Sequence, residues 1–311
     1  MSNQSTAFID GVVASMRMAR VGDVELAYAL AGEGPLLVLT HGFAGPTADW
    51  PPVIEELARR CRLLLYDVRG HGRSSAPEDP DAYSMPIFAR DLAGLLDALS
   101  IERAHVGGVS MGGMITAQFA VDFPGRCRSV LLMDTTAGND EGSGPASAWE
   151  AQLRDVFAQM EHVARKYGMA ELIERQVAWS RERDPLWRID PQAEEKARRR
   201  LSHMTAAGFA GAARAIRLRP HLLPRLAAVT VPALVLVGED DWFFPCARQA
   251  YEALPNARWV QVRRAGHAVT SYRPDVFLQV VGAFVDDVEA GRDVRGEWTV
   301  DQLRKPRGWG R

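Results

Sequence analysis

Short apolar runs alternate with longer amphipathic segments through much of this 311-residue chain. The runs LLVL (36–39), AHVGGV (104–109) and PALVLV (232–237) are almost wholly apolar, which is typical of parallel strands covered on both faces. The segments between the runs space their apolar residues as helices do. The alternation therefore predicts an α/β fold with a mostly parallel central sheet and helices on both of its faces.

The alternation stops after residue 135 and resumes near residue 229, and the sequence between is rich in arginine and glutamate. We expect an inserted all-helical cap here, above the sheet edge where parallel strands end and where open α/β sheets bind ligands. The predicted organisation is an N-terminal extension (1–20), a core (21–135 and 229–290), the helical cap (136–228) and a C-terminal tail (291–311).

The overall charge and the cysteine content exclude several classes of protein. A formal net charge of -2 gives no electrostatic reason to expect a nucleic-acid partner. Three cysteines without a C-x-x-C pair are too few for a disulfide framework. The first residues lack the apolar core of a signal peptide, and no apolar run approaches the ~20 residues that span a bilayer. We expect a cytoplasmic protein without a membrane span, and a homo-oligomer stays open.

Four glycines surround one serine in GGVSMGG (107–113), between a predicted strand and a predicted helix. The pattern G-x-S-x-G presents a serine hydroxyl at a tight strand-to-helix turn, where Gly108 and Gly112 leave out side chains that would collide. Ser110 is thus the candidate nucleophile. No Gly-Lys-Ser/Thr follows, so a phosphate-binding loop does not fit. A chance serine in a glycine-rich turn is the remaining alternative.

A serine nucleophile needs a base and an acid that orients the base. His267 lies in the loop after the last predicted strand, where it can reach back to Ser110. The acid comes from the run Glu-Asp-Asp that follows the PALVLV strand, and we choose Asp241. Its neighbour Asp240 and the strand-end residue Asp134 are the alternatives. The chain order serine, acid, histidine is the one expected for this arrangement.

Two backbone N–H groups are candidates for an oxyanion hole. The sequence HGFAG (41–45) directly follows the LLVL strand, and its loop should face the serine. We choose the N–H groups of Phe43 and Met111, the second of which begins the helix after Ser110. An ordinary strand-end turn is the alternative for HGFAG. His41 and His71 are expected to be structural, and no pair of histidines has the spacing of zinc ligands.

Five motifs in this order resemble the α/β-hydrolase superfamily, over about residues 21–289. They are HGFAG (41–45), DVRGHGRS (67–74), GVSMGG (108–113), GEDDWFFP (238–245) and AGH (265–267). The resemblance implies the α/β-hydrolase fold with an inserted helical cap. Among its members, GVSMGGM before such a cap resembles carboxylesterases, enol-lactone hydrolases and carbon–carbon bond hydrolases of small molecules. A serine hydrolase of small to medium carboxylic esters, needing no cofactor or metal, is therefore expected.

Some residues depart from the patterns of particular subfamilies. Carbon–carbon bond hydrolases usually carry an aromatic residue after the catalytic histidine, whereas Ala268 and Val269 follow here. Epoxide hydrolases and haloalkane dehalogenases use aspartate where Ser110 stands. An enol-lactonase or a carbon–carbon bond hydrolase of a catabolic pathway stays the alternative, and a non-catalytic ligand-binding relative comes third. Cap arginines such as Arg198 are expected to be solvated, although one could bind a substrate carboxylate.

Overall fold

In a computed structural model, which describes residues 3–50, 53–138, 145–183 and 191–302, one sheet runs through the centre of the molecule. Its strand order is β1-β2-β4-β3-β5-β6-β7-β8-β9. The first two strands pair antiparallel with each other, β2 pairs antiparallel with β4, and the remaining pairs are parallel. The strands are β1 Arg17–Val21, β2 Val24–Ala31, β3 Leu36–Thr40, β4 Arg62–Tyr66, β5 Ala104–Val109, β6 Cys127–Met133, β7 Ala233–Gly238, β8 Ala257–Val262 and β9 Gly296–Glu297.

Helices flank the sheet on both faces, as the alternation predicted. In chain order they are α1 Asn3–Ala14, α2 Val53–Ala58, α3 Met85–Ala98, α4 Met111–Asp122, α5 Pro145–Arg183, α6 Ala193–Ser202, α7 Ala206–Arg217, α8 Leu223–Leu226, α9 Phe244–Ala253, α10 Val269–Tyr272 and α11 Pro274–Glu289. Strong local signals begin some of them. Ser84 caps α3 by accepting a hydrogen bond from the N–H of Ile87 at 3.3 Å, and Pro86 occupies the first turn.

The buried side chains of the central strands alternate between two cores. In β3, Val38 joins the core that includes α3, α4 and α9, while Leu37 and Leu39 join the core that includes α1, α2 and α11. All three side chains have no solvent exposure, which is why this strand reads as a continuous apolar run. The predicted mostly parallel sheet covered on both faces is confirmed.

The described part of residues 136–228 is helical and forms a cap with a small core of its own. This core packs against the loop that follows β3, where Ala44 joins Leu201, Met204 and Phe209. The long helix α5 is interrupted at Gly168, whose φ of 79° is left-handed. The cap thus sits over the end of β3, at the edge of the sheet where the parallel strands end.

Both edges of the sheet contain strands that were not predicted from the sequence. β1 begins within the predicted N-terminal extension, ends at the first residue of the predicted core, and forms a hairpin with β2. β9 lies within the predicted tail, where Trp298 packs its ring 4.2 Å from the guanidinium of Arg258. The domain boundaries stay predictions. Residues 1–2, 139–144, 184–190 and 303–311 of the predicted extension, cap and tail lie outside the described residues.

Candidate active site

Ser110 occupies the turn between β5 and α4 with φ 57° and ψ -118°, a conformation that non-glycine residues rarely adopt. A Cβ on Gly108 would overlap the carbonyl group of Gly112, and one on Gly112 would overlap the carbonyl oxygens that end β3. The N–H of Ser110 donates to the carbonyl of Met133 at 3.0 Å, and Thr135 Oγ1 donates to the carbonyl of Ser110 at 2.6 Å. The glycines therefore permit the turn, and hydrogen bonds with the last residue of β6 and with Thr135 beyond it hold the turn in place.

His267 lies in the loop after β8, and its imidazole reaches the serine. Its Nε2 is 3.0 Å from Ser110 Oγ, and its Nδ1 is 3.1 and 3.2 Å from the two carboxylate oxygens of Asp241. Because an ionised carboxylate only accepts hydrogen bonds, Nδ1 carries the proton and Nε2 accepts from the serine hydroxyl. The structure thus brings together the three side chains chosen from the sequence. Along the chain, Asp241 lies 26 positions and Ser110 lies 157 positions before His267.

The structure distinguishes the two adjacent aspartates in the loop after β7, either of which the sequence allowed as the acid that orients the histidine. Asp241 points inward and is 4% exposed, whereas Asp240 is exposed to solvent. A backbone hydrogen bond from Asp241 N–H to Gly238 at 3.2 Å closes the turn, and Asp241 Oδ1 accepts from the N–H of Phe243 at 2.8 Å. These two hydrogen bonds therefore fix the orientation in which the Asp241 carboxylate faces His267.

Asp134, the other alternative acid, lies at the end of β6, and both of its carboxylate oxygens accept hydrogen bonds from backbone N–H groups. One of its carboxylate oxygens accepts from the N–H of Gly238 at 3.1 Å, and the other accepts from the N–H of Val269 at 2.7 Å. Burial, and then the charge of Asp241, raise the pKa of Asp134 well above its usual range. Asp134 consequently ties the loop that carries Asp241 to the loop that carries His267.

The two chosen backbone N–H groups lie on either side of the serine. Met111 begins α4 directly after Ser110, and Phe43 lies in a turn closed by a 3.1 Å hydrogen bond from Gly45 to Gly42. A Cβ on Gly42 would be 3.5 Å from that of Ser110, so this loop lies against the serine. Within the described residues, neither N–H donates to a protein acceptor. The assignment of these two N–H groups to an oxyanion hole stays a prediction.

Two buried histidines hold the loop that follows β3. His71 Nε2 accepts from the N–H of Ala44 at 3.2 Å, and His41 Nε2 accepts from the N–H of Val68 at 3.0 Å. Their Nδ1 atoms bond to backbone carbonyls, so each ring is neutral and uses both nitrogens. Burial lowers the pKa of His41 to about 4 and that of His71 to about 3. Both therefore have a structural role here.

The charged residues of the cap lie in two settings. Arg198 forms exposed ion pairs with Glu174 and Glu194 at 2.6 and 3.0 Å, as expected of a solvated face. Arg219 instead forms a fully buried ion pair with Glu150, whose other oxygen accepts from Thr136 Oγ1 at 2.7 Å. This buried pair was not predicted from the sequence, and it fixes the start of α5 to the segment after α7.

A comparison with known families identifies the fold. A family model described as the alpha/beta hydrolase fold matches residues 35–274 of the chain. The chain belongs to the alpha/beta hydrolase family. The resemblance carried by the five sequence motifs and the predicted fold class are confirmed by this match, and the protein is a hydrolase.

Relatives of this α/β-hydrolase carry several activities in their names. The chain is 30% identical to a putative carbamate hydrolase RutD of Azorhizobium caulinodans, over 88% of this chain and 100% of the relative. It is also 30% identical to 3-oxoadipate enol-lactonase 2 of Acinetobacter baylyi, over 84% and 93% of the two chains. The enol-lactonase structure from Burkholderia xenovorans superposes with a TM-score of 0.74 at 30% identity, covering 87% of this chain and 100% of that one.

A solved esterase also resembles this α/β-hydrolase. The thermophilic esterase of Thermogutta terrifontis superposes with a TM-score of 0.73 at 26% identity and covers 88% of this chain and 99% of its own. The family is established, whereas its members differ in the bond that they hydrolyse.

Among the described residues, none of the helices combines the length and the apolar character that crossing a membrane requires.

Proposed function

We propose that this α/β-hydrolase cleaves small to medium carboxylic esters through an acyl-enzyme intermediate. The observation that carries the proposal is the chain of hydrogen bonds from Ser110 Oγ to His267 and on to Asp241, with 3.0 and 3.1 Å between the atoms. These distances are within hydrogen-bond reach for a nucleophile, its base and the acid that orients the base.

In the first half of the proposed reaction, His267 Nε2 takes the proton of the Ser110 hydroxyl while Oγ attacks the ester carbonyl. Asp241 keeps the proton on Nδ1 and stabilises the imidazolium that forms. The carbonyl oxygen becomes an oxyanion and accepts hydrogen bonds from the N–H groups of Phe43 and Met111. The carbon–oxygen bond to the alcohol then breaks, and the imidazolium gives its proton to the leaving alcohol.

In the second half, water replaces the alcohol. His267 takes a proton from the water, the hydroxide attacks the acyl carbon, and a second oxyanion forms in the same place. Its collapse breaks the bond to Ser110, which recovers the proton from the imidazolium and releases the acid. Each half reaction passes through one charged imidazolium, and the protein side chains supply every proton transfer that the cycle needs.

Hydrolysis of p-nitrophenyl esters by matched serine variants tests the proposal. Ser110→Ala should lower kcat/KM by about 10⁴-fold or more, because it removes the nucleophile. Ser100→Ala is the control, since Ser100 is an exposed serine with a left-handed φ of 54° at the end of α3. The control should keep the wild-type rate. Equal rates in the wild type and in Ser110→Ala would contradict the proposed nucleophile and favour a ligand-binding protein.

An enol-lactonase is the second candidate, and the relatives favour it. An enol-lactonase of known structure and another from Acinetobacter baylyi each share 30% identity with the chain over more than four fifths of its length. The same serine chemistry opens a lactone, in which the leaving alcohol stays attached to the acyl group. Rates on a panel of lactones, β-diketones, carbamates and esters of increasing chain length would separate the candidates, since the preferred class should have the highest kcat/KM.

A further inference from the structure

The imidazole of His267 stacks on the indole of Trp242, an arrangement that the proposed acyl transfer does not require. The ring centroids are 4.9 Å apart and the planes differ by 27°, which is the geometry of an offset stack. Trp242 directly follows Asp241 in the chain. One short loop therefore binds the Nδ1 edge of the imidazole with a carboxylate and covers its face with an aromatic ring.

A tryptophan of the cap packs against the same indole. The rings of Trp149 and Trp242 are 5.8 Å apart at 27°, and Trp149 also contacts Phe243 edge-on at 6.0 Å. The neighbour of Trp149 on α5 is Glu150, which forms the buried ion pair with Arg219. This pair holds the first turns of α5 in place. The indole of Trp242 is thus held between the imidazole and a ring that the cap positions.

A stacked indole interacts differently with the two protonation states of the imidazole. The face of an indole carries the negative end of the ring quadrupole, so it attracts a cation more strongly than it attracts a neutral ring. In the proposed function, His267 is neutral in the resting enzyme and charged in both tetrahedral intermediates. Contact with Trp242 therefore stabilises the charged states relative to the resting state, which is the condition for accelerating a reaction.

Other titratable groups around His267 and its partner Asp241 come from four neighbouring elements. Asp241 in the loop after β7 favours the imidazolium through its negative charge, whereas burial and the charge of Asp241 raise the pKa of Asp134 at the end of β6. The phenol of Tyr272 in α10 lies beside Gly266, and the buried thiol of Cys246 in α9 has a pKa raised to about 11 by burial. These groups are unchanged when Trp242 is replaced, so a variant of Trp242 isolates the effect of the stack.

We propose that Trp242, supported by Trp149 of the cap, is a positioning residue that holds the imidazole of His267 toward Asp241 and stabilises its protonated form. The inference rests on the proposed function in taking His267 as the base. Trp242 is 39% exposed, which places its cation–π contribution at the weaker end of the usual range. Removing the ring should therefore lower kcat/KM by about two- to fivefold.

Tryptophan fluorescence tests the stack without using catalysis. A protonated imidazole in contact with an indole quenches its emission more than a neutral one, so wild-type emission should fall as the pH is lowered through the titration of His267. This step should be absent in Trp242→Phe and in His267→Gln. It should persist in Trp179→Phe, which removes an indole of similar exposure (36%) from the surface of the cap. Identical titration curves in the wild type and in Trp242→Phe would overturn the proposal.

The pH profile of kcat/KM supplies the second readout. Trp242→Leu should move the acidic limb of the profile to lower pH, because the imidazolium loses a stabilising contact, and Trp242→Phe should restore part of the shift. A merely structural loss would lower the rate without moving the limb, and that result would refute the proposal. Failure of the proposed function is distinguishable, since it appears as activity retained in Ser110→Ala. If Trp242→Leu does not unfold cooperatively, the pH profile of Trp242→Phe alone tests the proposal.

Discussion

The close approach between the start of α4 and the end of β3 yields a stringent prediction. Gly112 is a helical glycine, and a Cβ there would lie 2.7 Å from the carbonyl oxygen of His41 and would overlap the carbonyl of Thr40. Both obstacles are backbone atoms, so no side-chain rotation relieves the contact. Gly112→Ala must instead push the turn at Ser110 and the end of β3 apart.

The magnitude follows from two opposing effects. Alanine in a helix is about 1 kcal/mol more favourable than glycine, whereas overfilling a packed site costs about 1–3 kcal/mol and sometimes more. Gly11 provides the matched control, because it is an exposed helical glycine in α1 whose added Cβ would meet nothing within 4 Å. We expect Gly11→Ala to be more stable than the wild type by about 0.5–1 kcal/mol, and Gly112→Ala to be less stable than the wild type by up to about 2 kcal/mol.

Urea unfolding followed by circular dichroism gives the free energies of unfolding, and p-nitrophenyl ester hydrolysis gives the activity. Because Ser110 begins the displaced turn and β3 leads into the loop of Phe43, a shift of about 1 Å should lower kcat/KM by about 100-fold in Gly112→Ala. Gly11→Ala should keep full activity. If Gly112→Ala is as stable and as active as Gly11→Ala, the two segments do not approach each other as described.

Three further predictions concern Asp241, the buried His71 and the buried ion pair between Arg219 and Glu150. Asp241→Asn should lower kcat by about 10³–10⁴-fold in ester hydrolysis, whereas Asp240→Asn should stay within about twofold of the wild type. Burial lowers the pKa of His71 from 6.5 to about 3, so unfolding takes up a proton below pH 6.5 and stability falls as the pH falls. In His71→Asn, the slope of unfolding free energy against pH between 6.5 and 4, measured by urea unfolding, should decrease by about 1.4 kcal/mol per pH unit. Arg219→Leu should destabilise by about 3–5 kcal/mol in urea unfolding, and Glu150→Leu added to it should recover most of the loss.

The interior of the fold could be predicted from the sequence, and its edges could not. Strands such as β3 and β7 are covered on both faces, so their burial appears as unbroken apolar runs. β1 has only two buried positions among its five, and β9 is two residues long. Both owe their place to pairing with a neighbouring strand. Pairing of that kind has no local signal in the composition of the strand itself.

The candidate site shows a similar division between what local sequence determines and what three-dimensional packing determines. The turn that carries Ser110 could be predicted because its backbone geometry demands glycine at fixed positions around Ser110. Asp240 and Asp241 are equivalent as a sequence pattern, and the turn closed from Asp241 to Gly238 decides which of them faces inward. The stack of Trp149 on Trp242 joins residues 93 positions apart and depends on how the cap docks, which no spacing along the chain reveals.

Two buried histidines near the site keep their charge, whereas His267 changes its charge in the proposed reaction. His41 and His71 hold the loop of Phe43, and burial keeps their pKa values near 4 and 3, so both stay neutral under the conditions in which an esterase assay is run. Asp134 accepts hydrogen bonds from the backbone N–H groups of Gly238 and Val269 and so ties the loop of Asp241 to the loop of His267. A single proton should therefore govern the acidic limb of kcat/KM, with a slope of one. A steeper limb would mean that one of these buried groups titrates together with the base.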